Sequence, residues 1–306
     1  MRSFEAPAEL SIVHQFALSS VAGTTVLLRD LLDAIPRVAP HIRAEYISFE
    51  DHPTPGNWLL REGRTAVVGV NLQIDYRWDQ SLRYMDFYRD VGLPVHLWVH
   101  DYWPKNRNTL ETLHRAFNVN LLASTDVVRS AMLKDGLEVD IVQVGIPLGN
   151  LARVPPSQPK ARPFVIGTAG RVVARKRQLD IMRAFGRTGL VTTELRMQLA
   201  PSLVRSADSD STLMALLLTE AKSIEAAGQN VSLRSTPTER HDYGAYDVYV
   251  CASDYEGFSL TPIEAMYCGC PAIMSDIPAH RSIARAIYPG PIDEVLYPTA
   301  DIQALS

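Results

Sequence analysis

Only three cysteines, Cys251, Cys268 and Cys270, occur in 306 residues, and no histidine cluster at metal-ligand spacing joins them. That excludes a disulfide framework and leaves no zinc signature; small thiols beside one strand-to-helix segment read as structural, in a reduced compartment. No run reaches the roughly 18 apolar residues of a membrane span, and the start "MRSFEAPAELS" has no apolar signal core. Charge of neither sign dominates: the net value is −4, which gives no global pull toward nucleic acid or anionic lipid. Fixed-period repeats and low-complexity tracts are missing too. The glycines of "GTAG", residues 167 to 170, fit neither the Gly-x-Gly-x-x-Gly fingerprint nor the Walker pattern, so nicotinamide and P-loop chemistry find no support. No Asp-x-Asp pair stands at a strand end to hold a divalent ion; "DSD", Asp208 to Asp210, lies in a polar serine-rich stretch and reads as a turn. The expectation is a cytoplasmic protein, soluble or peripheral at the inner face of a membrane, with no metal, no cofactor and no nucleic-acid partner.

What is there is a rhythm. Apolar strand candidates alternate with helical patterns: "LSIVHQFAL", "TAVVGVNLQI", "VHLWVH", "VNLLAS" and "VDIVQVGI", then "RPFVIGT", "ELRMQLA", "NVSLRS", "DVYVCAS" and "CPAIMSD". Such alternation is built from βαβ units, hence an α/β chain with parallel sheets. A length of 306 residues with 46% hydrophobic content suits two domains with full cores. "LARVPPSQPKARP", 151–163, carries four prolines and no apolar periodicity, and is the expected linker between a domain over 1–150 and one over 164–306. The final "ADIQALS" reads as a helix just beginning, so the second domain is expected to be incomplete at its C-terminal end.

Two stretches of the second half carry chemistry. In "EGFSLTPIEAMYCG", Glu256 to Gly269, a capping Thr261, a Pro262 at the first helical position and a box-closing Glu264 predict a helix start, and Gly269 a helix end. "DVYVCAS" before it reads as a buried strand, so Glu256 to Leu260 is a loop at the carboxyl edge of a parallel sheet. Open α/β sheets bind ligands there, and amides at a helix start favour an anion such as phosphate. In "GTAGRVVARKRQLDIMRAF", Gly167 to Phe185, a strand leads through a basic loop into a helix whose apolar face carries Leu179, Ile181, Met182 and Phe185. Arg171 and Lys176 thus lie beyond a strand end in the same domain as Glu256, as cations near a phosphate do. A solvated charge run, or a nucleic-acid contact, is the plainer alternative for "RVVARKR", and a surface carboxylate and a helix cap are the plainer roles for Glu256 and Glu264.

Taken together, "GR" with a lysine five positions on and, about eighty residues later, "EGFSLTPIEA" resemble the donor-binding half of GT-B glycosyltransferases, specifically glycosyltransferase family 4 with its Glu-x7-Glu motif. The likeness runs through "YDVYVCASDYEGFSLTPIEAMYCGCPAIMSDIP" and covers most of Phe164 to Pro278. In the first half, "SSVAGTTVLLRDLLDAI" resembles the family's glycine loop and first helix, with Ala22 and Gly23 where paired glycines are common, and "LWVHDYWP" resembles the segment of its active-site histidine. The resemblance implies a GT-B fold, two Rossmann-like domains facing a central cleft, with the acceptor on the first and a nucleotide-sugar donor on the second. It implies a retaining, metal-independent hexosyl transfer to an acceptor glycan, lipid-linked sugar or small molecule.

By the same resemblance Arg171 and Lys176 neutralise the diphosphate, and Glu256 faces the donor sugar. Gly257, Phe258, Ser259 and Leu260 form the donor loop and its helix start, Glu264 takes the ribose hydroxyls, Gly23 and Thr24 belong to the glycine loop, and His100 sits near the donor sugar. His96 shares a strand face with His100 but lies deeper, and His100 is preferred. The aromatics of Trp78 to Asp90 read as packing. The competing reading is a catalytically silent GT-B subunit that binds or scaffolds a partner transferase.

Overall fold

A computed structural model describes residues 8–14, 23–48, 51–52, 54–55, 64–70, 78–146, 151, 162–200, 210–235 and 242–306. The chain divides into two compact units, Met1–Pro147 and Leu148–Ser306. Of the expected linker over 151–163, all but residues 151, 162 and 163 lies outside the described residues.

In the first unit the strands are β1 (Ala8–His14), β2 (Ile42–Ser48), β3 (Arg64–Val70), β4 (Val95–Val99), β5 (Asn120–Ala123) and β6 (Asp140–Ile141). They form one sheet in the order β2-β1-β3-β4-β5-β6, with every pairing parallel. Helices α1 (Gly23–Val38), α2 (Trp78–Asp90), α3 (Arg107–Phe117) and α4 (Asp126–Lys134) connect strands. Leu97 packs with Tyr84, Tyr88, Leu113 and Met132 from α2, α3 and α4, whereas its neighbour Trp98 packs with Leu27 and Leu28 of α1. Adjacent strand residues point to opposite faces, so helices cover both faces and the strands read as continuous apolar runs. Tyr84 and Tyr88 of α2 are fully buried, so these two aromatics pack in the core, as the sequence suggests.

The second unit holds β7 (Phe164–Arg171), β8 (Thr193–Ala200), β9 (Asn230–Ser235), β10 (Val248–Cys251), β11 (Ala272–Ser275) and β12 (Leu296–Tyr297). Their order is β12-β11-β10-β7-β8-β9, again all parallel. Helices α5 (Gln178–Thr188), α6 (Asp210–Ala226), α7 (Leu260–Tyr267), α8 (Pro278–Ile287) and α9 (Ile302–Leu305) complete it. Ile181, Met182 and Phe185 of α5 are buried against Leu195 and Met197 of β8, at roughly 1.5–3 kcal/mol per side chain. Read from β7 the order is 3-2-1-4-5-6, the doubly wound arrangement whose connections diverge between β7 and β10. Asp247 closes that junction: it accepts two hydrogen bonds from Arg162, at 2.7 and 3.0 Å, and one from the Val165 amide at 2.8 Å.

Two strands escape the sequence reading. β2 carries Arg43 and Glu45 among its apolar residues and β12 has two residues; both are edge strands paired on one side only. An edge strand need not be apolar throughout, so its alternation is too weak to register.

Candidate active site

The carboxyl ends of β7 and β10 flank the point where the chain order reverses, the place where open α/β sheets bind ligands. Arg171 ends β7; its carbonyl accepts a hydrogen bond from the Gln178 side-chain Nε2 at 2.6 Å, which ties the loop 172–177 back to the start of α5. Within the loop Ala174–Lys176 forms a 3-10 turn, and Arg177 takes the left-handed conformation at φ 49° before α5 begins. That conformation is uncommon for arginine; Arg177 is held in it by hydrogen bonds to Asp180 at 2.5 Å and to both Asp254 oxygens at 3.2 Å.

After β10 the chain turns through Ser253–Glu256, and the two loops are stitched together. The Asp254 amide donates to the Arg175 carbonyl at 2.8 Å, and the Arg175 guanidinium donates to the Tyr255 carbonyl at 2.8 Å. Glu256 is 5% exposed with both carboxylate oxygens engaged: Oε2 accepts from Arg175 at 2.9 Å, and Oε1 accepts from Ser253 at 2.7 Å and from the Lys176 ammonium. Burial pushes the Glu256 carboxyl up, but Lys176 and Arg175 outweigh it and hold the group at about 2, fully ionised near neutrality. The structure therefore brings Lys176 and Glu256 into direct contact and adds Arg175 and Ser253, two residues the sequence reading missed. Arg175 lies in the same basic run as Lys176, but the run does not reveal which cation turns inward.

The helix start differs from expectation. α7 opens at Leu260 with Ser259 as N-cap, so Pro262 is the third helical residue and Thr261 and Glu264 form no capping box. The Ser259 hydroxyl makes no cap hydrogen bond because it faces His280, whose Nε2 lies 3.2 Å from it and 3.5 Å from the Cys251 sulfur. His280 is fully buried, and its Nδ1 donates to the Ser275 carbonyl at 2.8 Å, which turns Nε2 toward Ser259 and Cys251. Ser275 in turn donates to the Ser253 carbonyl at 2.6 Å. A polar chain thus underlies the loop from Ser253 to Ser259, and nothing in the sequence around Cys251 signals a histidine 29 positions on. The exit of α7 matches expectation: Gly269 stands at φ 85°, its amide bonds Met266 and that of Cys270 bonds Ala265, the paired closure of a helix that ends in glycine. Gly257 is buried, and Phe258 and Leu260 are half-buried. Glu264, also half-buried, accepts a 2.6 Å hydrogen bond from the Tyr243 hydroxyl.

His100 belongs to the first unit, directly after β4, 9% exposed and stacked edge-on to Trp98 with ring centres 4.4 Å apart. Its Nε2 has no hydrogen-bond partner among the described residues. Burial, opposed in part by the adjacent Asp101 carboxylate, lowers the imidazole to about 4, so the ring is neutral at pH 7. Gly23 opens α1 and Thr24 follows it; the preceding residues 15–22, Ala22 included, lie outside the described residues. All three cysteines are buried and free.

The sequence profile described as Glycosyl transferases group 1 matches residues 220–306, a segment that contains Glu256 and Glu264 but not Arg171 or Lys176. The UDP-N-acetylglucosamine–peptide N-acetylglucosaminyltransferase GtfA subunit of Streptococcus pneumoniae is 30% identical over 136 residues, 44% of this chain and 25% of that protein. The chain thus spans about a quarter of the length of the curated relative it matches. Among solved structures, Anabaena HepE in complex with UDP and glucose superposes with a TM-score of 0.73 at 15% identity, covering 97% of this chain and 87% of the other. The OtsA apo structure superposes with a TM-score of 0.66 at 12% identity, covering 97% and 89%. Both units share the parallel α/β architecture of these GT-B structures, and residues 220–306 are similar to the glycosyl transferases group 1 profile.

Proposed function

We propose that the chain is a retaining glycosyltransferase of family 4, which moves a hexosyl group from a nucleotide-diphosphate sugar to an acceptor hydroxyl of a glycan, lipid or small molecule without a metal. The observation that carries this reading is the buried Glu256 carboxylate held by the half-buried cations Lys176 and Arg175 at the switch point of the second sheet, with α7 and Glu264 rising from the same loop. As the glycosidic bond breaks, charge grows on the departing diphosphate, and fixed cations and helix-start amides lower the barrier by meeting that charge. Arg171, Lys176 and the amides of Gly257 to Ser259 take this role. Glu256 faces the donor sugar and Glu264 takes the ribose hydroxyls.

The Lys176 ammonium contacts Glu256 directly, so a donor diphosphate bound beside it shares or takes over that ammonium and frees a Glu256 oxygen for a sugar hydroxyl. Each partner thereby waits in a charged, desolvated position at little reorganisation cost. The neutral His100 imidazole suits a hydrogen bond to a sugar hydroxyl better than a charged ring would. Uridine diphosphate sugars are the first donors to try, because HepE is solved with UDP-glucose and the streptococcal relative is named for UDP-N-acetylglucosamine.

The decisive experiment incubates the purified chain with UDP, GDP, ADP and TDP sugars, follows nucleotide release, and reads the anomeric configuration of the product by NMR. Release from one donor class with the α or β configuration preserved is expected. An inverted product refutes retention, and failure of every nucleotide to bind refutes the donor site and with it the transferase.

A further inference from the structure

Tyr243 begins the 3-10 turn Tyr243–Ala245 ahead of β10, 21 positions before Glu264, and only the tertiary fold brings the two together. Its ring is 1% exposed. It packs edge-on against Tyr249 at 5.7 Å and 75° and against Tyr246 at 6.4 Å and 80°. These neighbours are themselves anchored. The Tyr249 hydroxyl donates to the Ala169 carbonyl at 3.0 Å, and Tyr246 fills the space above Gly167, where a Cβ would stand 2.1 Å from its ring. The Tyr243 hydroxyl is therefore referenced to β7 and β10 through three interlocked rings, and it cannot follow the Glu264 side chain into another rotamer. Burial, together with the Glu264 carboxylate, raises the Tyr243 phenol well above its ordinary value, so it remains a hydrogen-bond donor across the working pH range.

We propose that Tyr243 is a positioning residue for the nucleotide: its hydroxyl fixes the Glu264 carboxylate in the orientation that accepts the vicinal hydroxyls of the donor ribose. This deepens the reading of Glu264 given above and rests on it. A carboxylate has about four lone-pair positions, so one hydrogen bond orients the group while ribose hydroxyls are accepted at others. Without the phenol the carboxylate loses an orienting contact, and the rotamer freedom it regains is charged against binding.

The test uses the full chain and whichever of UDP, GDP and ADP binds it most tightly, together with the matching 2′,3′-dideoxynucleotide, which lacks both hydroxyls. Wild type is expected to prefer the ribonucleotide. Tyr243→Phe keeps the rings and the melting temperature within a few degrees, weakens the ribonucleotide about tenfold, and leaves the dideoxynucleotide nearly unchanged, so the preference collapses. A merely structural role would weaken both nucleotides alike and overturns the proposal. Glu264→Gln separates the two levels: if it binds both nucleotides as wild type does, or if no nucleotide binds at all, the ribose role of Glu264 is wrong. If Glu264→Gln loses the preference and Tyr243→Phe retains it, only the positioning role falls. Adding Tyr243→Phe to Glu264→Ala is expected to change affinity no further, and an additive loss contradicts a shared action.

Discussion

Replacing Glu256 by glutamine isolates the electrostatics of the donor loop. The side chain keeps its shape and can still accept from Ser253, but it offers no charge to Lys176 and Arg175. In the native fold those cations hold a carboxyl that burial alone would raise at about 2, against an ordinary 4.5. Because the folded value lies below the unfolded one, the ionised group stabilises the fold above about pH 4.5, and that contribution is lost as the pH falls through about 2. The gap is worth roughly 3 kcal/mol at pH 7, of which about 2 kcal/mol is gone by pH 3. Glutamine does not titrate, so the stability difference between wild type and Glu256→Gln is expected to shrink by about 2 kcal/mol between pH 7 and pH 3. Urea unfolding at pH 7, 5, 4 and 3 measures it. All four tryptophans, Trp58, Trp78, Trp98 and Trp103, lie in the first unit, so a transition seen by circular dichroism but silent in tryptophan fluorescence belongs to the second. A difference of the same size at pH 7 and pH 3 would refute the claim that the two cations hold Glu256 ionised.

Arg171→Ala and Lys176→Ala are each expected to lower donor turnover at least about tenfold, and Lys176→Ala also destabilises the second unit because it strips a partner from a buried carboxylate. Near-normal kinetics in both variants remove the diphosphate assignment. Turnover is expected to persist in excess chelator; complete loss with recovery on magnesium or manganese places a metal in the site. His100, lowered by burial from 6.5 to about 4, binds its proton less readily folded than unfolded, so stability of the first unit falls as pH drops from 6.5 toward 4. His100→Gln flattens that slope in tryptophan-detected unfolding, and an unchanged slope shows that His100 is not the group responsible.

Much of this was legible along the chain because the signals are local. Parallel strands buried on both faces need unbroken apolar runs, and the runs at β4, β7, β8 and β10 announced themselves; a helix that ends in a left-handed residue needs a glycine, and Gly269 supplies one. Glu256 and Lys176 could be assigned to one loop region because both follow strands of the same domain and ligands gather at strand carboxyl ends. The charged edge strand β2 was not legible, since one-sided pairing imposes little pattern. The capping box was misread for a related reason: Thr261, Pro262 and Glu264 satisfy the local rule, yet the helix starts at Leu260 once His280 engages Ser259.

What the sequence by itself determined is the alternation of strands and helices, the two-unit division of apolar segments and the chemical inventory of two loops, all of which follow from hydrophobic periodicity and backbone preference within a dozen residues. Only the tertiary structure decided which members of that inventory meet. Arg175 with Glu256, Tyr243 with Glu264, and Cys251 and Ser259 with His280 are separated by 21 to 81 positions for the paired carboxylates and 21 to 29 for the histidine. Those contacts arise because the strand order places β10 beside β7 and β11 beside β10, which closes loops that share no local pattern into one low-dielectric site where each buried polar group must find a partner.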